Sequence, residues 1–266
     1  MLPLLSRPMI DYVVDDVIAA GVTDIIFVVS EHNRQLFHYY RENERLRQYL
    51  IHHQKESLYQ EVATLHQKAN FHFITQNDSD AYGTAVPLKL AQPLLEQEEA
   101  FFVFMGDDFL YNTNGTSESN AMLQTMQTAN ATAVTTCVRK PKDQLERYGV
   151  IKTKMQGEFQ LLESIVEKPK PEDAPSDLVN ISKYILSNQV FDILKTQTPN
   201  PSSGELYITD TLTELAKLQP VAVHVPQGSY LDGGNPLEWL KANVTIGLQQ
   251  PELAEPLRSF LKSAIS

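Results

Sequence analysis

The sequence predicts an α/β fold, and two observations carry that prediction. Apolar runs of strand length stand at 24–29, 71–75, 101–105, 131–138 and 221–225. Amphipathic helical stretches alternate with them, which is the pattern of βαβ units around a parallel sheet. A chain of 266 residues can bury roughly three quarters of its extended surface, so a core needs no covalent staples. No repeat, low-complexity tract or clear linker divides it, and residues 1–266 read as a single domain.

In chain order, Ser6 reads as an N-cap and Pro8 as part of the first turn of a helix with apolar Met9, Tyr12, Val13, Val14 and Ile18, ending near Gly21. Residues 24–29 form a buried strand. The charged segment 33–68 is helical by composition, and its His52, His53 and His66 read as solvated or lightly packed rather than as metal ligands. The strand 71–75 runs into QNDSDAYGTAV, where Gly83 precedes a helix over 84–95. A glycine there serves as turn chemistry or lets backbone approach a ligand at a helix N-terminus, and both readings stand.

The centre of the chain is FFVFMGDDFL, an apolar strand ending in Gly106, Asp107 and Asp108. Ligands in open α/β sheets sit outside the carboxyl ends of strands, so these carboxylates are candidates for holding one; an ordinary Gly-Asp turn also explains them. A polar loop over 112–120, a helix to about 129 and a strand over 131–138 follow. Residues 147–151 are extended and include Gly149, and a strand over 161–169 ends in Glu167, Lys168 and Pro169. A solvated ion pair would account for Glu167 and Lys168 without any function. After a proline-rich connector at 171–176 come a strand (180–186), helices (188–195 and 209–217) and an edge or late strand (221–225). Asp232 then precedes Gly233, Gly234 and a helix start at Pro236, and 252–265 is a helix with apolar Leu253, Leu257, Phe260 and Leu261.

The net charge of -11 argues against general nucleic-acid binding but leaves room for a nucleotide pocket with local cations. One cysteine, Cys137, makes no internal disulfide and suits a reducing compartment. No apolar run is long enough to span a membrane and MLPLLSRPM lacks a secretory signal's features, so the expectation is a cytoplasmic protein without membrane partners. The chain lacks G-x-S-x-G, G-x-x-x-x-G-K and H-E-x-x-H, which removes the residues of hydrolase, P-loop and zinc-protease readings. What remains at the strand ends is Asp107, Asp232, Lys168 and glycines at 83, 149, 233 and 234. Two carboxylates suit Mg²⁺, which fills its other positions with phosphate oxygens and water, and a lysine helps neutralise a transferring phosphoryl group.

The order of motifs resembles the bacterial UTP–glucose-1-phosphate uridylyltransferases, within the sugar nucleotidyltransferases. MLPLLSRPMIDYVVDDVIAAGVTDIIFVV is similar to that family's opening, and FITQ, AYGTAV, FMGDD, RYGV, VEKP, KYIL, GELYITDTL and YLDGGN follow in its order, over residues 1 to about 245. The resemblance implies a three-layer nucleotide-diphospho-sugar transferase (Rossmann-like) fold with a mixed, mostly parallel sheet. It implies that Gln76 and Gly83 read the uracil ring, that Asp107 and Asp232 hold Mg²⁺, that Gly149 and Glu167 hold the glucose hydroxyls, and that Lys168 meets the sugar phosphate, with Lys168, Asp107 and Asp232 the catalytic residues. The implied reaction joins UTP and glucose 1-phosphate into UDP-glucose and pyrophosphate; the rivals are a thymidylyltransferase for the same sugar phosphate and a catalytically silent nucleotide-sugar-binding relative. The family carries a first strand and a G-x-G-T-R loop ahead of M-L-P-L, where this sequence starts, and the expectation is that an upstream segment supplies them. Pro236 stands where the family has a lysine, and Ser182 where it has a glycine before the K-Y strand. A homo-oligomer, dimer or tetramer, is expected, with the C-terminal helix at a subunit interface.

Overall fold

In a computed structural model the protein is described over residues 1–265, the side chain of Glu61 aside, and it forms two compact units. The first comprises Met1–Ala20, Ala100–Ser187 and the chain from Thr213 onward; the second comprises Gly21–Glu99 and Asn188–Leu212. The first unit opens with the paired strands β1 (Pro3–Leu4) and β2 (Arg7–Pro8) and helix α1 (Met9–Ala19). The second follows with β3 (Asp24–Ser30), α2 (Gln35–Tyr39), α3 (Glu44–His52), α4 (Gln60–Ala63), β4 (Asn70–Gln76) and α5 (Val86–Leu95). The first resumes with β5 (Ala100–Phe104), β6 (Asp108–Tyr111), α6 (Glu118–Thr128), β7 (Ala133–Arg139), β8 (Gly149–Gln156), β9 (Phe159–Glu167) and β10 (Leu178–Ser187). Next come α7 (Val190–Thr196) of the second unit and α8 (Ile208–Leu218), whose residues divide between the two; β11 (Val221–His224), β12 (Ser229–Asp232), α9 (Pro236–Gly247) and α10 (Ala254–Ala264) complete the first.

Helix α1 begins after Pro8, and Ser6 lies in the β1–β2 turn instead of capping it. No side chain caps the helix; Arg7 folds over its start, with Nη2 donating to the Asp11 carbonyl at 2.8 Å and to Asp15 Oδ2 at 2.5 Å.

The sheet of the first unit has strand order β5-β10-β7-β11-β9-β8. Strand β10 runs antiparallel to β5 and β7, β11 lies parallel to β7, and β9 is antiparallel to both β11 and β8. Four strands (β5, β7, β11 and β8) therefore point one way and two the other, a mixed sheet; among the described residues only β7 and β11 pair in parallel in it, and the expected predominance of parallel pairs is not met because β10 and β9 run against every strand beside them. β11 is an interior strand with all four residues buried, not an edge, because VAVH fits between two apolar neighbours. Helix α6 covers one face, where Met122 joins Val134, Leu161, Ile185 and Ala222.

Outside this sheet, β6 and β12 pair as an antiparallel ribbon, with Phe109 opposite Leu231 and Asp108 opposite Asp232. Side chains alternate across it. Phe109 and Leu231 pack with Leu4, Met9, Val13, Ala242 and Ile246 under α1 and α9, while Leu110 and Tyr230 join the cluster of Leu145, Val150, Val179 and Ile181. The far end of the ribbon is tied down by Glu118, which is 2% exposed. Its carboxylate accepts from Asn112 Nδ2 (2.6 Å) and the amides of Gln227 (2.9 Å) and Gly228 (3.2 Å), and lies 3.2 Å from His224 Nε2. Burial raises its pKa, but these hydrogen bonds, His224 first, outweigh that and hold it at about 2.

In the second unit β3 and β4 pair in parallel from Asp24–Asn70 to Ser30–Gln76, and Phe27 stacks on Tyr40 (5.2 Å) and Phe71 (5.9 Å).

Two expectations follow. Ser182 sits at φ 54° in the irregular stretch of β10 between Asn180 and Tyr184. The left-handed region costs a non-glycine residue roughly 1–2 kcal/mol, part of which a glycine returns through unfolded-state entropy. Ser182→Gly should raise the melting temperature by about 1–3 °C, measured by calorimetry; a fall of that size would contradict the strain. Glu118, held well below its ordinary value of 4.5, adds stability that is complete above that value and is lost as pH falls from about 4.5 towards about 2. The melting-temperature gap between the native protein and Glu118→Gln should therefore narrow between about pH 5 and about pH 3, and a constant gap would show that Glu118 carries no such linkage.

Candidate active site

At the near end of the ribbon two carboxylates from distant parts of the sequence meet. Asp107 immediately precedes β6 and Asp232 ends β12; the Gly233 amide donates to the Asp107 carbonyl at 2.8 Å and the Gly234 amide to Asp232 Oδ1 at 2.6 Å. A Cβ built on Gly234 would lie 3.0 Å from Asp232 Oδ1 and 3.9 Å from Asp107 Oδ2. The glycine thus leaves open the space that both carboxylates border. Asp107 is exposed and Asp232 half-buried, so both reach solvent. This donor set fits Mg²⁺, a hard cation that takes one or two protein carboxylates and leaves its other positions to phosphate and water.

Asp108, next in sequence, is committed elsewhere. Its Oδ1 is ion-paired with Lys183 Nζ and its Oδ2 accepts from the Tyr230 hydroxyl at 2.8 Å. Burial is the largest influence on its carboxyl and pushes the pKa up, against the pull of Lys183 and Tyr230. Tyr230 is pushed up as well, by its own burial and then by the neighbouring carboxylates. The turn reading of Asp108 thus gives way to a buried ion pair. Sequence reasoning missed Lys183 and Tyr230; the available signal was a lysine inside the apolar run ISKYIL, since lysine is almost never fully buried without a partner.

On the same unit, Gly149 opens β8 directly opposite Glu167 at the end of β9. A Cβ on Gly149 would come within 2.9 Å of Ile165 Cγ2 and 3.0 Å of Glu167 Oε1, so only glycine lets the glutamate lie across this position. Lys168 follows with φ 46°, its amide donating to the Tyr148 carbonyl at 3.0 Å and its side chain exposed. An unfavourable backbone angle at a lysine on a strand end marks a place where the surrounding structure imposes the conformation. Tyr148 and Tyr230 lie in one apolar cluster, and Lys140 Nζ stands 5.7 and 5.6 Å from their ring centres. The Gly149–Glu167–Lys168 corner and the Asp107–Asp232 corner are therefore joined by packed side chains.

Gln76 and Gly83 belong to the second unit. Gln76 ends β4, and its carbonyl accepts from the Glu31 amide at 3.0 Å. Gly83 has φ 129°, and a Cβ there would fall 2.3 Å from the Leu206 carbonyl oxygen. The Leu206 amide donates to Tyr82, its carbonyl accepts from Ala85, and the Ile208 amide donates to Thr84 Oγ1 at 3.0 Å. AYGTAV and GELYITD are thus two halves of one backbone junction, which gives Gly83 a steric reason beside any ligand. Glu31, His32 and Asp78 also converge in this unit, with ligand atoms within 4.8 Å of one another. His32 Nε2 lies 3.0 Å from Asp78 Oδ2, an arrangement that an exposed ion pair explains, and Asp78 is the first cause that raises the His32 pKa.

Comparison with known proteins bears on the fold and the family. The model of the family described as nucleotidyl transferase matches residues 1–248. A UTP–glucose-1-phosphate uridylyltransferase of Bacillus subtilis (strain 168) is 29% identical over 268 residues, covering 100% of this chain and 87% of that protein. One from Streptococcus pyogenes is 29% identical over 266 residues, covering 98% and 85%. A crystal structure of apo UDP-glucose pyrophosphorylase superposes with a TM-score of 0.81 at 25% identity, covering 92% of this chain and 89% of that one. With its fold, its strand-end carboxylates and a family match over nearly its whole length, the chain belongs to the nucleotidyl transferase family.

Proposed function

We propose that this protein is a UTP–glucose-1-phosphate uridylyltransferase acting in the cytoplasm, and that residues 1–266 serve as a single nucleotidyltransferase domain. The observation that carries the reading is the pairing of Asp107 with Asp232 around Gly234, joined through Tyr230 and Tyr148 to the Gly149–Glu167–Lys168 corner. The relatives reported above carry the uridylyltransferase name, which favours uracil over thymine. Among the described residues no helix is long and apolar enough to cross a membrane.

In this reading a phosphate oxygen of glucose 1-phosphate attacks the α-phosphorus of UTP. The new P–O bond forms as the bond from the α-phosphorus to the bridging oxygen breaks, and pyrophosphate leaves. Asp107 and Asp232 hold Mg²⁺, which when bound neutralises charge on the phosphates. Glu167, lying over Gly149, accepts two hydroxyl hydrogen bonds from the glucose, and the glycine leaves space for the ring. Lys168 brings a mobile point charge to the sugar phosphate, which lowers the cost of bringing two anions together. Gln76 reads the uracil edge by side-chain hydrogen bonds, and Gly83 by backbone. We also propose a homo-oligomer, dimer or tetramer. Helix α10 supports it, since Leu257 seats against Gly247 while Phe260 stays exposed.

Pyrophosphate release with UTP, glucose 1-phosphate and Mg²⁺ tests the proposal, on the 266-residue chain and on the chain extended by its in-frame upstream coding sequence. Turnover in either form supports it. No turnover in both would leave the silent relative, and faster turnover with dTTP would leave the thymidylyltransferase. In the active form Asp107→Asn should cut turnover by at least about a hundredfold, and a near-normal rate would remove Asp107 from the metal site. Lys168→Ala should raise the half-saturating glucose 1-phosphate about tenfold and that of UTP much less; equal effects on both would contradict its role.

A further inference from the structure

We propose that Lys183 and Tyr230, acting through the buried Asp108, are positioning residues that set the spacing of the Asp107 and Asp232 carboxylates. The inference rests on the reading of those two carboxylates as the divalent-cation ligands, and it assigns a role to three residues that touch neither substrate nor metal.

Asp108 is the apex of a triangle of side chains, with Lys183 on one carboxylate oxygen and Tyr230 on the other. Lys183 is 2% exposed, and its ammonium group reaches Asp108 Oδ1 and the Met105 carbonyl (3.1 Å), standing 5.4 Å from the Phe104 ring centre. Asp108 is 6% exposed and has its other oxygen on the Tyr230 hydroxyl at 2.8 Å. One lysine on β10 thereby fixes the end of β5 through Met105 and the start of β6 through Asp108, and Asp108 in turn fixes β12 through Tyr230. Asp107 lies in the short stretch between Met105 and Asp108. Asp232 is two residues beyond Tyr230, on the same face of its strand. Asp107 is thus adjacent in the chain to Asp108, and Asp232 is separated from Tyr230 by Leu231 alone on the paired strand.

The same geometry separates the roles of two adjacent aspartates. Asp108 is buried with one oxygen on an ammonium group and the other on a phenol, whereas the Asp107 carboxylate is exposed and borders the open space beside Gly234. Stability alone gives weak reason for a lysine and an aspartate here. Apolar residues of similar volume commonly replace a buried ion pair at no loss, while removing one partner strands the other. What the charged triangle supplies is a fixed direction for both strands at the ribbon end, and partners beyond the ligands typically tune metal affinity 10–100-fold.

Mn²⁺ alone, titrated into the full chain and followed by electron paramagnetic resonance, tests this alongside thermal melting. Asp107→Asn is the control and should abolish or greatly weaken binding. Tyr230→Phe removes one hydroxyl while keeping the ring, so it should melt within a few degrees of the native protein yet raise the Mn²⁺ dissociation constant about tenfold. Lys183→Met should weaken Mn²⁺ further, and if it does not fold, Tyr230→Phe decides alone. Native-like Mn²⁺ affinity in Tyr230→Phe, with Asp107→Asn impaired, would overturn the positioning role and leave the metal reading standing. Native-like affinity in Asp107→Asn, or no Mn²⁺ binding by the native chain, would overturn the metal reading and this inference with it.

Discussion

The ribbon of β6 and β12 depends on buried carboxylates at both ends. Asp108 ties the near end to the sheet through Lys183, and Glu118 ties the far end through Asn112, His224 and two backbone amides. Among the described residues the ribbon does not pair with a strand of the six-stranded sheet, so its position comes from these anchors and from apolar packing on both faces. A buried carboxylate without partners would be costly; here each is surrounded by donors, and that satisfaction turns an expense into a fixed geometry.

The proposed chemistry inherits that geometry. A metal-assisted phosphoryl transfer asks the protein mainly for positioning and charge neutralisation, so the relevant property of Asp107 and Asp232 is how rigidly they face one space. The glycines do complementary work. Gly234 leaves that space open, and Gly149 lets Glu167 lie across the strand end, at points where a side chain would collide. The two corners share one apolar cluster through Tyr148 and Tyr230, so a shift of the ribbon is felt at both.

Much of the fold was legible because the apolar strands announce themselves. The runs at 71–75 and 180–186 lie within β4 and β10, and the run at 131–138 overlaps β7 in all but its first two residues. The failures have specific causes. Strand β6 was hidden because its first residue is an aspartate in a Gly-Asp-Asp turn signature, and only its partner β12, far along the chain, makes it a strand. The run at 221–225 left an edge or a late strand open, because a short apolar run says nothing about which strands flank it; β11 lies between β7 and β9. Ser6 looked like a cap, but Arg7 covers the helix start instead. For the candidate site, Asp107, Asp232, Gly149, Glu167 and Lys168 were visible as motifs. The triangle of Asp108, Lys183 and Tyr230 was not, since its members belong to three separate stretches and no local pattern links them.

In the proposed mechanism the ribbon end is a two-carboxylate cation site. Crystals of the protein soaked in Mn²⁺ and measured for anomalous scattering test it most directly. A peak is expected between the Asp107 and Asp232 carboxylates, beside Gly234. A peak at Glu31, His32 and Asp78 with none at the ribbon end would contradict it.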